Sequence, residues 1–544
     1  MDPSTRFDTQ IVGALPVLGA FLDLMDVSSI IDRTVPWKGE VPLGTIAEVL
    51  IANRLMQPKA MFRISEWAED VSATDYFGVS AEDLNDDRLG RALERLAKHA
   101  TSVQSELVMK ATEMFDLQVD QIHYDITSVE LFGAYERQLA KEAEATGPTP
   151  AYGCTKSGRK NLKQIQFGLN VTNDGGVPIS HLPLNGNTAE TKTHLQNLKE
   201  LKRYLPKSNL LYVADSKLDV RENLLAIVAR RGKFLCGGSF SPHLKERYLA
   251  KKSHLEEIDY YSKSQEKRAP EDRDKYKAFE VSEGLSGEAD GKNIRLDYRM
   301  IFVWSERKQR DEAKTRERHI GRVKEEFEKV ERNLNKFRLK TEKAIIKRLE
   351  SIKGKYKIGS VFEYELTENQ SGAFELKWFI NQENLRKRIE TEGVYILKTN
   401  LPKRGNNLSK ILRLYRDQTQ VERRFRECKG PLAVAPMHLE KPERIAGLLC
   451  IIVWALMIMA LMERAIRKNL NGKPLYGLYP ENRPSPAPTG KSLLDCYSTL
   501  CIVIMKDHGK VYRRLTELSN IQRKLLDLLE IRAKLQTFKK RCGT

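Results

Sequence analysis

Alternating and continuous apolar runs in the first half of the chain predict strands, and most of the remainder reads as helix. In QIHYDITSVELFG, Ile122, Tyr124 and Ile126 alternate with polar residues, the period-two pattern of a half-buried strand, and Asp125 lies on it. KQIQFGLNVT alternates at Ile165, Phe167, Leu169 and Val171. It meets VPISHLPL across the turn NDGG (Asn173 to Gly176), which predicts a hairpin by its turn chemistry. In NLLYVADSKLDV, Leu210 to Ala214 is an unbroken apolar run, as in a strand buried on both faces, and it stops at Asp215. KFLCGGSF reads as one further strand.

The segment YRDQTQVERRFRECK changes from period two to the helical period. Tyr415, Glu422 and Lys429 are seven apart, so on one helix they project within about 20° of each other. Gln418 and Arg426 fall on that face, and Ile411, Leu414, Val421 and Phe425 form an apolar stripe beside it. The pattern is a lone carboxylate in a row of phosphate-seeking side chains on an anchored helix. Glu427 is the rival acid, about 140° around the helix, and Asp219 is a weaker rival to Asp215. A strand with an Asp, a hairpin, a buried strand ending in Asp and a helix with a Glu can bring three carboxylates to one end of a mixed sheet. Each piece alone has a blander reading, since an Asp that ends a strand is more often a turn or helix cap.

Beyond these segments, residues 1 to about 110 read as helices, with an apolar face at Ile46, Val49, Leu50 and Leu55 and a cap at Asn85 or Asp86. The separation of 207 in residue number from Asp215 to Glu422 exceeds what a helix and a strand need, which predicts an inserted domain. Within it, Ile320, Val323, Phe327, Val330, Leu334 and Phe337 step by three and four, a short seam read as antiparallel packing inside the insertion. NIRLDYRMIFVW and GSVFEYELTE look like strands, and Trp304 and Trp378 read as core. Ile445 to Met462 is eighteen residues without a charge, read as a buried helix rather than a membrane span. Tyr479 to Ser492 is Pro-rich and reads as a linker. After it, Leu515, Leu518, Leu525, Leu528, Leu529 and Leu535 predict a tail helix that ends in TFKKRCGT.

Charge narrows the partners. Lys and Arg exceed Asp and Glu by 19, which favours a polyanion over a membrane surface. Residues 1–100 hold 10 Lys/Arg against 16 Asp/Glu, so the basic surplus belongs entirely to the rest of the chain. Seven cysteines without a CxxC pair, in a chain with no evident signal peptide, predict reduced thiols in a cytoplasm.

Taken together, HYDITS, the run GLNV to GNTAETKT (Gly168 to Thr193), VADSKL, GVYILKTN and YRDQTQVERRFRECKGPLAVAP resemble an insertion-sequence DDE transposase of the Tyr-Arg-Glu-Lys signature class. LNDDRLGRALERL extends the resemblance into the N-terminal region. Gln418 stands where the signature has arginine, which leaves Arg416, Arg423 or Arg426 to take over a phosphate contact. The resemblance implies an α/β fold: an RNase H-like mixed-sheet core in two parts (111–240 and 393–465) around an inserted mixed α+β domain (241–392). A helical N-terminal domain (1–110) would serve end recognition or pairing, and a linker with a basic helical tail would occupy 466–544. It implies Asp125, Asp215 and Glu422 as catalytic ligands of two Mg²⁺ ions, with Mn²⁺ able to substitute. Tyr415, Lys429, Arg426, Arg423 and Gln418 would contact DNA. The expected reaction is cutting at terminal inverted repeats and joining to target DNA by two-metal phosphoryl transfer. The expected setting is a homodimer on double-stranded DNA in a prokaryotic cytoplasm, at the nucleoid. The alternatives are a transposase-derived DNA-binding protein without cleavage activity and a metal-dependent nuclease on the same fold.

Overall fold

The structure is a computed structural model, with residues 6–132, 135, 147–153, 161–205, 210–262, 265–266, 268–356, 358–434, 437–508 and 510–534 described. The fold is mixed α/β and divides into two compact units. One comprises residues 1–233, 289–292 and 416–544, the other 234–288 and 293–415.

The first unit opens with strand β1 (Arg6–Ile11) and helices α1 (Leu15–Leu24), α2 (Val27–Thr34), α3 (Leu43–Met56), α4 (Ile64–Asp70), α5 (Ala73–Phe77) and α6 (Asp86–Phe115). The expected one-sided apolar face on α3 is in fact buried all round from Ile46 to Leu55. Asn85 caps α6, its Oδ1 accepting from the Arg88 N–H at 2.9 Å, and Leu89, Leu93 and Leu96 lie on the buried face.

Strands β2 (Gln121–Leu131), β3 (Lys163–Thr172) and β4 (Pro178–Leu184) follow, then α7 (Glu190–Tyr204), β5 (Leu211–Ala214) and α8 (Arg221–Ala229). Within this unit the strand order is β4-β3-β2-β5. The first three are antiparallel neighbours, and β5 runs parallel to β2. The β3–β4 hairpin turns through Gly175 at φ +85° and Gly176 at φ +64°, a left-handed path that favours glycine. The Tyr124 hydroxyl meets Thr193 of α7 at 3.4 Å, on one face of the strands. His123, one residue earlier on β2, projects to the opposite face.

The second unit holds β6 (Lys233–Gly238), α9 (Pro242–Lys251), β7 (Glu256–Glu257), β8 (Tyr276–Ala289), β9 (Lys292–Ser305), α10 (Glu306–Arg332) and α11 (Glu342–Lys355). These are followed by β10 (Phe362–Glu368), β11 (Phe374–Ile380), α12 (Gln382–Glu390), β12 (Val394–Thr399) and α13 (Leu408–Arg416). Its strands run in the order β6-β12-β9-β8-β7. The seam on α10 packs inside the unit: Ile320, Val323, Phe327 and Val330 meet Ile345, Leu349 and Ile352 of α11 and the β10–β11 ribbon. Phe337, counted into that seam, is 80% exposed at a left-handed turn. Trp378 packs against this cluster, and Trp304 against a second one around Tyr248 and Phe302.

The chain then returns to the first unit with α14 (Thr419–Lys429), α15 (Pro442–Leu470), α16 (Gly490–Asp495), β13 (Cys501–Asp507), β14 (Lys510–Leu515) and α17 (Asn520–Leu528). Every residue from Ile445 to Met462 is buried, so the long apolar run of α15 is enclosed by protein. It packs on α6, α3 and β4. Gly447 permits the close approach, because a Cβ there would stand 2.2 Å from the Leu93 carbonyl oxygen. The tail corrects the sequence reading. Leu515 ends a strand rather than starting a helix, and β13 pairs with both β14 and the N-terminal β1. The helix begins later, at the Ser519–Gln522 capping box. Leu535 and TFKKRCGT lie outside the described residues.

Candidate active site

The parallel register of β2 and β5 builds the site. Tyr124 pairs with Ala214, so Asp125 is the next residue along β2 and Asp215 the first residue beyond the end of β5, on strands about 4.8 Å apart. Asp125 shares the face of His123, two residues before it, and is half-buried. Its Oδ1 accepts from the Ile126 N–H at 2.8 Å. Asp215 caps the short turn Ser216–Leu218, its Oδ1 accepting from the Lys217 N–H at 2.9 Å.

The third acid arrives on α14, and here the structure departs from the sequence reading. The helix is not continuous through the signature. It ends at Arg416 and restarts at Thr419, with tight i−3 bonds at Gln420 and Val421 across the join. Tyr415 therefore sits in the last turn of α13, in the second unit, while Glu422 lies on α14 in the first. Glu422, Arg426 and Lys429 do share an exposed face of α14.

Gln418 occupies the join. Its amide Nε2 donates to the Tyr124 carbonyl oxygen at 2.9 Å, and its Oε1 lies 3.1 Å from His123 Nδ1. This carboxamide ties the start of α14 to β2 immediately before Asp125. The His123 ring is completely buried, and burial pushes its pKa down to about 4, so the imidazole between Gln418 and Asn173 is neutral. Its Nε2 lies 3.1 Å from the Gln121 amide.

A charged network fixes the inner face of the same helix. Arg424, fully buried, donates to the carbonyl oxygens of Gly176 at 2.7 Å and Gly175 at 2.8 Å, which clamps α14 to the β3–β4 turn. It also bonds Glu427 at 2.5 Å and Glu463 of α15 at 3.0 Å. Arg423 lies 2.7 Å from Glu463, so its guanidinium is engaged inside the protein. The rival acid Glu427 is likewise held by Arg424. Sequence reading missed Arg424 and Glu463. The available signal was a charge at a core position: Arg424 beside Val421 and Phe425, and Glu463 closing an apolar run.

The donor chemistry, carboxylate oxygens alone, suits a hard divalent cation. The three acids are not gathered as a finished ligand set, however. Among the described residues no group of three His, Cys, Asp or Glu side chains is placed to hold a metal ion. Asp125 and Asp215 follow the paired ends of β2 and β5, and Glu422 lies on a separate helix.

Residues 140–458, more than half of the chain, match the family model of the transposase DDE domain. The chain belongs to that family. Residues 7–109, from β1 to within α6, match a domain of unknown function (DUF4277). No curated protein matches the chain. The transposase match includes Asp215 and Glu422 and begins fifteen residues after Asp125. Membership brings a transposase role, DNA as partner and a general use of divalent metal ions.

Proposed function

We propose that this DDE transposase is an insertion-sequence enzyme of the Tyr-Arg-Glu-Lys signature class. It would cut DNA at element ends and join the freed ends to target DNA, with Asp125, Asp215 and Glu422 as the acidic triad. The observation that carries this reading is the β2–β5 register, which pairs Tyr124 with Ala214, the residues immediately before Asp125 and Asp215. The order β4-β3-β2-β5, three antiparallel strands followed by a parallel one, supports an RNase H-like core.

Asp125 and Asp215 would hold divalent cations between them, and Glu422 would complete the set from α14. A Mg²⁺ pair, when bound, supplies Lewis acidity to the scissile phosphate and lowers the pKa of the attacking water or 3′-hydroxyl. The chain's own contribution is placement. Lys429 and Arg426, exposed beyond Glu422 on the same face, would hold phosphates flanking the scissile bond. Gln418 and Arg424 would fix the helix that carries all three.

A DNA-binding protein without cleavage activity is the second reading, favoured by Gln418 standing at the signature's arginine position. Mg²⁺-dependent nicking of DNA that carries the element ends separates the two. Asp125→Ala should abolish nicking and leave DNA affinity within about twofold, because it removes a ligand for metal and no phosphate contact. Nicking by Asp125→Ala at the wild-type rate would leave only the second reading.

A further inference from the structure

Buried guanidinium groups in this protein meet carboxylates: Arg424 has Glu427 and Glu463, Arg299 has Glu280 at 2.7 Å, and Arg464 has Asp174 at 2.5 Å. Arg54, near the end of α3, differs. It is 5% exposed, and among the described residues it forms no ion pair. Its Nη2 donates to the Lys59 carbonyl oxygen at 2.9 Å and its Nη1 to that of Ala433 at 3.5 Å, while its Nε has no partner. Burial without a counter-charge pushes its pKa down to about 10. A desolvated cation in this state is unfavourable unless an anion completes it.

Space for that anion adjoins it. Arg54 lines a cavity of about 520 Å³, within the range of small-molecule sites. Lys59, Lys441 and Arg444 line it too, against the carboxylates of Asp86 and Glu440. Lys441 and Arg444 share Glu94, at 3.1 and 2.8 Å, so Arg54 and Lys59 are the cations of the lining without a carboxylate partner among the described residues. One wall comes from the α3–α4 connection, inside the stretch that matches the domain of unknown function. The other follows α14, with Ala433 only four residues beyond Lys429.

We infer that this cavity is a phosphate-binding site, in which Arg54 and Lys59 receive a phosphoryl group carried on a DNA strand. Guanidinium and ammonium donors give charge-assisted bonds to phosphate oxygens, and the volume exceeds what a lone phosphate fills. The phosphate chemistry is independent of strand cleavage; its source in DNA rests on the transposase reading.

The full chain in EDTA tests this. Thermal unfolding and titration calorimetry are run with inorganic phosphate, thymidine 5′-monophosphate and a twelve-nucleotide single strand, each against chloride at matched ionic strength. The wild type should be stabilised by phosphate-bearing ligands beyond chloride. Lys59→Ala should bind about tenfold more weakly while unfolding at the wild-type temperature in chloride, having lost one charge-assisted contact. Arg54→Gln keeps a donor for the main chain and should remove the phosphate-specific effect. If Arg54→Gln does not fold, Lys59→Ala decides alone. Tighter binding of the oligonucleotide than of inorganic phosphate supports a DNA source. Equal binding keeps the site and overturns that source. The inference falls if no ligand outperforms chloride, or if Lys59→Ala binds all three as the wild type does. Failure of nicking with retained binding here would sink the transposase reading and leave the site standing.

Discussion

The Gln418 side-chain amide donates to the main-chain carbonyl oxygen of Tyr124 at 2.9 Å, which fastens the helix of Glu422 to the strand of Asp125. An arginine, with donors only, could not also accept from His123 as Gln418 does. Gln418 thus has a built-in task in the protein itself, ahead of any contact with DNA.

Gln418→Ala should therefore slow nicking by about 10- to 100-fold, since a displaced Glu422 helix misplaces the reacting groups. DNA affinity should stay nearly unchanged, and the Mg²⁺ concentration for half-maximal rate should rise. Single-turnover nicking across a Mg²⁺ series reads both. Weakened binding with an unchanged nicking rate would show Gln418 to be a phosphate ligand instead.

Lys429→Ala and Arg426→Ala should each weaken DNA binding and lower the slope of log affinity against log salt by about one, the loss of one phosphate contact. Arg423→Ala should leave the slope alone, because Arg423 is engaged with Glu463 at 2.7 Å. Anisotropy titrations at several salt concentrations distinguish the three.

Arg424→Ala should lower unfolding stability by about 3–5 kcal/mol, because it takes away the fully buried one of the cations that meet the Glu463 carboxylate and breaks the clamp on Gly175 and Gly176. The double variant Arg424→Met with Glu463→Met should recover part of that loss, as both members of the fully buried pair are replaced together. Urea denaturation of the single and double variants provides the comparison; equal losses in both would rule out the charge argument.

His194 is 2% exposed, and burial pushes its pKa down to about 4. The unfolded chain, with an ordinary histidine pKa near 6.5, takes up the proton first. Stability is complete above about pH 6.5 and is lost as pH falls toward 4, by up to about 3 kcal/mol from this group. His194→Asn should flatten that part of the profile of unfolding midpoint against pH. An identical profile in the variant would exclude His194 as its source.

The amino-acid sequence alone determined the features that neighbouring residues encode. The NDGG turn, the buried run ending at Asp215, the charge-free stretch of α15 and the α10 seam through Val330 all formed as their periodicity and turn chemistry require. What it did not contain is which distant segments meet. The leucine spacing around Leu515 suited a helix until β13 supplied a partner for a strand, and β1 joined that sheet from the other end of the chain. Helix-face arithmetic assumed one unbroken helix from Tyr415 to Lys429, whereas α13 ends at Arg416 and α14 starts at Thr419, with Gln418 at the join bonded to the Tyr124 carbonyl. The parallel register of Tyr124 with Ala214, each just before an aspartate, and the buried meeting of Arg424 with Glu463 likewise belong to the tertiary structure. Their energies come from pairing and desolvation between segments far apart in the chain, and local pattern carries no record of either.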